Sequence, residues 1–215
     1  APEGEHRQFY ADGSKRSSRH FRAGAPTGKL QRWFPTGQLQ EEVDFDAPGT
    51  PVKQWWSNGE LRSADTPTGR VEIPPKGEVV EYHRRGTVHT RVTYDRGTKH
   101  GPFEAFYSDG GKWEVAQYDH DVQVGAHRKW YKNGQLALEA TYVAGQREGS
   151  YKRWYADGTL WEEATYAGGK LVGAYKKWWR NGAIAHDYRY VDGKLDGPYR
   201  TFYDNGARWA VGEYV

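Results

Sequence analysis

Between residues 149 and 160 the chain reads Gly149-Ser150-Tyr151-Lys152-Arg153-Trp154-Tyr155-Ala156-Asp157-Gly158-Thr159-Leu160. An aromatic-rich run meets Asp-Gly, and a second strand-like run continues through Glu163 and Tyr166 to Gly169. Asp-Gly between two such runs is a strong hairpin signal, and it predicts a type I′ turn with positive φ at both residues. A two-residue turn at Asp157-Gly158 sets Tyr155 opposite Leu160 and Trp154 opposite Trp161. It also sets Lys152 against Glu163 and Arg153 against Glu162. Opposite charges directly across a strand pair contribute a few tenths of a kcal/mol, roughly, each. This explains the basic pairs Arg128-Lys129, Lys152-Arg153 and Lys176-Lys177 as partners of facing acids; a basic binding stripe is the alternative.

The same sentence recurs on both sides. Gly77, Gly101, Gly125, Gly149, Gly173 and Gly197 lie 24 residues apart, and Gly4 and Gly28 open two earlier copies at the same step. A further copy opens at Thr50, where Trp55, Trp56, Asn58, Gly59 and Leu61 keep the register. Hairpin turns fall at Asp12-Gly13, Asn58-Gly59, Asp109-Gly110, Asn133-Gly134, Asp157-Gly158, Asn181-Gly182 and Asn205-Gly206. Thr36-Gly37 and Arg85-Gly86 are poorer versions. A second glycine turn ends each unit, as at Gly145, Gly169 and Gly193, so each unit supplies two strands. One hairpin alone is marginal in water, and each copy therefore depends on its neighbours. The expectation is an all-β protein: an elongated, single-layer antiparallel meander of about nine tandem 24-residue β-hairpin repeats. Residues 1–215 form a single array, regular in 77–215, with an irregular Pro-rich break at 46–76. Alternation of side chains gathers Tyr151, Tyr155, Leu160 and Tyr166 on one face. An aromatic ladder of Phe9, Trp33, Trp55, Tyr82, Phe106, Trp130, Trp154, Trp178 and Phe202 lies on the other.

Composition agrees. The 215 residues include 10 Trp and 16 Tyr, with no Met, and mean hydropathy is -1.00. A disordered chain of such polarity is poor in aromatics, not rich in them. Thirty-one basic and 28 acidic residues leave a net charge of +3, too balanced for nucleic acid to be expected as a partner. Without cysteine there are no disulfides and no thiolate metal sites. No apolar run has the length of a membrane-spanning helix. The chain begins at Ala1 rather than Met, either because a targeting segment was removed or because the chain was trimmed, and an exported or periplasmic location is the expectation over a cytoplasmic one.

These residues resemble the bacterial variant of the MORN repeat. Its units read approximately Gly-x-Tyr-x-x-Trp/Phe-Tyr-x-Asn-Gly-x-Leu-x-x-Glu, followed by Tyr and Gly. The match covers essentially the whole chain and is most specific from Gly101 to Gly206. The resemblance implies a long meander of hairpins. Members are commonly labelled antitoxin components of toxin–antitoxin pairs, and other MORN-bearing proteins use the repeats as protein-binding or lipid-associated scaffolds. Aromatic choline- or glucan-binding repeats also carry Gly and Trp-Tyr clusters. Their shorter period, and their lack of the Asn-Gly-x-Leu-x-x-Glu continuation, count against them here.

Specificity is expected where the repeat breaks. Pro48, Pro51, Pro67, Pro74 and Pro75 crowd one stretch, and proline is confined to edges, strand starts and bulges. The second strand of the third copy is therefore expected to be interrupted, either as a partner-binding loop or as a kink. In the fourth copy His83 replaces the usual Tyr or Trp and Arg84-Arg85 replaces the polar turn pair. Arg70, His83, Arg84 and Arg85 are candidate contacts for an anion or acidic partner; a solvated basic face is the plainer reading.

No Gly-x-Ser-x-Gly elbow, phosphate-binding loop or His-Glu-x-x-His helix is present. The eight histidines are scattered, with His6 and His127 in positions that elsewhere hold Tyr or Phe. Asp119-His120-Asp121 sits at an inter-unit turn. No catalytic residue, metal or cofactor is expected. The reading is a non-catalytic scaffold binding a partner protein along one face, antitoxin- or immunity-like, by steric occlusion. Trp33, Trp55, Trp130, Trp154 and Trp178 are its candidate contacts. The alternative is binding of a cell-envelope glycan or lipid through the aromatic ladder. A monomer, or weak self-association through open strand edges, is expected.

Overall fold

The computed structural model describes residues 1–47, 49, 51–66 and 69–215; Thr50, where the third copy was expected to open, and Pro48, Pro67 and Thr68 of the proline-rich stretch lie outside the described residues. Among the described residues there is no helix, and every strand pairs antiparallel. The first strands are β1 (Gly4–Phe9), β2 (Lys15–Arg22), β3 (Ala25–Trp33), β4 (Leu39–Asp44), β5 (Lys53–Trp55), β6 (Leu61–Thr66) and β7 (Gly69–Glu72). Then come β8 (Gly77–Tyr82), β9 (Val88–Asp95), β10 (Thr98–Phe106), β11 (Lys112–Asp119), β12 (Val122–Trp130) and β13 (Leu136–Val143). The last are β14 (Gln146–Trp154), β15 (Leu160–Ala167), β16 (Lys170–Trp178), β17 (Ile184–Val191), β18 (Lys194–Leu195), β19 (Gly197–Phe202) and β20 (Arg208–Tyr214).

The chain forms two compact units: residues 1–101 with 108–110, and residues 102–107 with 111–215. In the first unit β1 to β7 make one sheet in chain order, and β8 pairs with β9 as a hairpin. In the second unit β11 to β17 follow in chain order, β18 and β19 both pair with β17, and β20 pairs with β19. The excess length between the third and fourth copies is occupied by β7, which folds back on β6 with Ser63 opposite Glu72 and Asp65 opposite Arg70.

The turns correct one expectation. At Asp157-Gly158 the N–H of Gly158 donates to the Tyr155 carbonyl (2.9 Å) and the N–H of Tyr155 to the Thr159 carbonyl (2.8 Å). Gly158 has φ +89°, whereas Asp157 is not at positive φ. This is a three-residue loop, a type I turn closed by a glycine bulge, not a two-residue type I′ turn. The register moves accordingly: Trp154 stands opposite Leu160, not Trp161, and Tyr155 lies in the loop. Lys152–Glu163 and Arg153–Glu162 face each other as expected. Asp or Asn is favoured here for its side chain: Oδ1 of Asp157 accepts from the N–H of Thr159 (2.9 Å), as Asn181 does from Ala183 (3.0 Å).

Type I′ turns instead close the opposite ends of the strands. Ala144 and Gly145 both have positive φ (49° and 79°), as do Asp192 and Gly193 (51° and 81°), and Val143 faces Gln146 across the former. His120 and Asp121 form such a turn with no glycine, at 48° and 66°.

The glycine that opens each copy has a separate reason. Thr141 pairs with Glu148 and Ala140 with Tyr151, so β14 carries extra residues at Gly149-Ser150, where Gly149 adopts φ +71°. This bulge needs a left-handed residue, and the 24-residue glycine spacing is the repeat of that bulge.

Successive copies are fastened by a recurring bond between one copy's loop and the next. The Tyr107 hydroxyl donates to the Trp130 carbonyl (2.8 Å), Tyr155 to Trp178 (3.0 Å), and the Trp179 indole to Phe202 (3.1 Å), always 23 residues on. Where the loop carries Asn, its Nδ2 adds a parallel bond, as from Asn181 to Asp204 (2.6 Å).

The core is narrow and built on alanine. Ala116, Ala140 and Ala164, at the 24-residue step, are all nearly inaccessible. Tyr151 stands between Ala140 and Ala164 on neighbouring strands, with Leu138, Tyr142, Tyr166, Leu171 and Tyr175 packed around them. The small methyls leave room for the ring, whose burial stabilises by about 3 kcal/mol.

Candidate functional site

In the second unit, one position of the repeat reads Trp113, Ala137, Trp161, Ala185, Trp209 at successive 24-residue steps. Large and small residues alternate, so the tryptophans recur every four strands, roughly 19 Å apart. Each rests against a tyrosine of its own hairpin loop: Trp113 on Tyr107, Trp161 on Tyr155 and Trp209 on Tyr203, with ring centroids 6.4, 5.7 and 6.0 Å apart. Cations lie over two of the rings, Arg153 at 4.0 Å from Trp161 and Lys129 at 5.7 Å from Trp113. Trp113 is 39% and Trp209 65% exposed. These residues were not singled out from sequence, although the double period is legible once the copies are aligned.

Of the tryptophans that were, Trp33, Trp130, Trp154 and Trp178 are half-buried at strand ends, and their carbonyls accept the inter-copy bonds. Lys15 covers the Trp33 ring at 4.2 Å. Trp55 lies elsewhere, in a cleft of about 540 Å³ in the first unit. Trp56, Tyr82 and Phe34 also line the cleft, and all four rings are half-buried. Phe34 and Tyr82 pack at 5.9 Å, and the N–H of Val80 donates to the buried Ser57 hydroxyl, which ties the walls together. Around these rings stand Arg16, Arg32, Arg62 and Arg84, with Glu81 the one lining carboxylate.

The cleft therefore brings together Trp55, His83 and Arg84 of the sequence candidates, with the His83 ring tilted against that of His89, centroids 4.5 Å apart. Arg85 is exposed in the β8–β9 loop and does not line it. Arg70 is absorbed by structure: it bonds Glu72 (2.8 Å), Gln54 (2.7 Å) and Ser63 (2.6 Å), with Asp65 at 3.7 Å.

Two polar pairs hold the sheet beneath the second unit's surface. Glu114 accepts from the buried His127 (2.7 Å), with Lys129 at 3.3 Å. Burial alone would raise the Glu114 pKa, but His127 and Lys129 outweigh it and hold the carboxyl below its ordinary 4.5. One double step along, the equivalent pair is Glu162 and Tyr175 (2.8 Å); burial first, then the neighbouring carboxylate, raises the Tyr175 phenol above its usual range. His127 thus replaces a tyrosine, and a carboxylate answers it.

The fold defines a tandem hairpin-repeat protein, a repeat scaffold. Three of its segments, residues 26–47, 123–144 and 147–167, match the MORN repeat variant, and each covers one hairpin but for the first residue of its leading strand. A comparison with curated proteins finds no match. Among solved structures, the chain is similar at 9% identity to a crystal structure of TcdB2-TccC3-TEV, with a TM-score of 0.20 over 97% of this chain and 15% of that one. For TcdB2-TccC3 without its hypervariable C-terminal region the values are 12% identity, TM-score 0.20, and 95% and 12% coverage. The chain spans less than a fifth of the length of either, and scores this low establish no common fold.

Proposed function

We propose that the protein is a non-catalytic scaffold that binds a partner protein across the tryptophan face of its second unit, in the manner of an antitoxin or immunity protein. The alternating row Trp113, Trp161, Trp209 carries this reading. Large, partly exposed rings braced by tyrosine and flanked by Arg and Lys have the composition of interaction hot spots. Each ring is held by its loop before any partner arrives, so little side-chain freedom is lost on contact. Such a surface acts by covering the partner. The test is affinity capture from lysate with wild-type bait and with a bait carrying Trp113→Ala, Trp161→Ala and Trp209→Ala, after both are shown to unfold at comparable temperatures. One stoichiometric protein retained by the first and lost from the second supports the proposal. Equal recovery on both baits overturns it. Retention of envelope polymer or lipid in place of protein would move the function to the glycan or lipid class.

A further inference from the structure

The cleft of the first unit is set apart by its charge. Of its four arginines, Arg32 is neutralised by Glu41 at 2.7 Å. Arg16, Arg62 and Arg84 have no carboxylate partner among the described residues, and the lining carboxylate, Glu81, is engaged by the Thr90 hydroxyl at 3.1 Å. Many strand cations elsewhere face an acid across the ladder, as Lys29 does Glu42 and Lys152 does Glu163. Three guanidinium groups without an ion-pair partner line one concavity against a single carboxylate, so the lining keeps a net positive charge that a bound anion offsets. Guanidinium donors are planar forks that match phosphate oxygens.

The rest of the lining is aromatic. Arg62 lies 4.7 Å from the Trp56 ring and Arg16 5.7 Å from that of Tyr10, so the cations and the π surfaces occupy the same space. A volume of about 540 Å³ lies in the range of small-molecule sites. It holds one ring with its substituents, not a strand.

We propose that this cleft binds a small organic phosphate whose phosphate is joined to a planar ring system, with a nucleoside monophosphate as the simplest member of the class. Arg16, Arg62 and Arg84 take the phosphate oxygens, and the ring lies against Trp55, Trp56 and Tyr82. The site is independent of the tryptophan face of the second unit.

The experiment is calorimetric titration of the full chain with each of the four ribonucleoside monophosphates, with adenosine and with ribose 5-phosphate. At least one nucleotide is expected to bind about tenfold or more tighter than either fragment, since each fragment lacks half of the recognised chemistry. Arg84→Ala and Arg62→Ala, both at exposed positions, are expected to weaken that binding by about tenfold each, with the melting temperature unchanged. Arg84→Lys, which keeps the charge without the fork, should fall between. Arg128→Ala, outside the cleft, should leave it intact. The proposal is overturned if none of the four nucleotides binds at millimolar concentration, if a fragment binds as tightly as the nucleotide, or if the two alanine variants bind like wild type.

Discussion

The phenol of Tyr131 donates to the carbonyl oxygen of Trp154, 2.8 Å away and 23 residues further along the chain. The bond crosses from the loop of one hairpin to the strand end of the next. It is therefore a contact between copies and not within one, and stability in such an array rests on these nearest-neighbour terms. Tyr131→Phe keeps the ring and removes the donor. We expect a loss of about 0.5–1.5 kcal/mol in urea unfolding. An unchanged midpoint would show that the hydroxyl bond adds nothing to the strand ladder and the Asn133 bond that also join the copies.

Asparagine is favourable in both turn classes, for different reasons. Ala144 holds φ +49° in a type I′ turn, which Asn tolerates better than Ala, so Ala144→Asn is expected to stabilise by about 0.5–1 kcal/mol. Asn133 holds its loop through Oδ1 to the N–H of Gln135 (3.1 Å) and the next copy through Nδ2 to the Ala156 carbonyl (2.6 Å). Asn133→Ala loses both and should destabilise by about 1–2 kcal/mol. A melting temperature that falls for Ala144→Asn, or holds for Asn133→Ala, would contradict the account of that turn.

Gly149 has open space where a Cβ would stand, yet its φ is +71°. Gly149→Ala therefore meets no clash and bears only the cost of the left-handed conformation, about 1–2 kcal/mol. A much larger loss on chemical denaturation would mean that the bulge itself rearranges.

Acid sensitivity follows from Glu114. Its carboxyl titrates below 4.5 in the folded chain, so the stabilisation it provides is full above the unfolded value and is lost as pH falls through the folded one. Stability of the wild type should decline with falling pH below about 4.5, and Glu114→Gln should decline less steeply over that window. Parallel melting curves for the two proteins from pH 5 to pH 3 would exclude this carboxylate as a contributor.

The hairpin repeat and the cross-strand charge pairs were legible because each is carried by local chemistry repeated many times, whereas β7 and β18, which exceed two strands per copy, were not. Lys152 and Glu163 face each other whichever turn joins their strands, which is why that pairing survived a mistaken turn type. The turn type was not legible, since Asp-Gly serves both a type I′ turn and a type I turn with a glycine bulge. The φ of Asp157 and the backbone bonds of Gly158 and Tyr155 separate them, and neither can be read from the residue types. The cleft was half legible. His83 and Arg84 stood out as departures from the repeat, but Arg16 and Arg62 are ordinary strand residues, and only folding of the first unit sets them beside Trp55. Trp113, Trp161 and Trp209 were hidden for a different reason: their period is twice that of the unit used to align the copies.

The fixed reach of the bond between copies has a consequence for how such a molecule can change over time. Excision of residues 149–172, a stretch of 24, would join Glu148 to Gly173 and place Trp178 where Trp154 now stands relative to Tyr131. Tyr131 would find the same acceptor and Asn133 the same carbonyl, one copy along. The tryptophan row would fall out of alternation at that point, while the backbone would close without a seam. Unequal recombination between copies can thus lengthen or shorten the protein in whole steps, and the spacing of its exposed rings would change before its ability to fold.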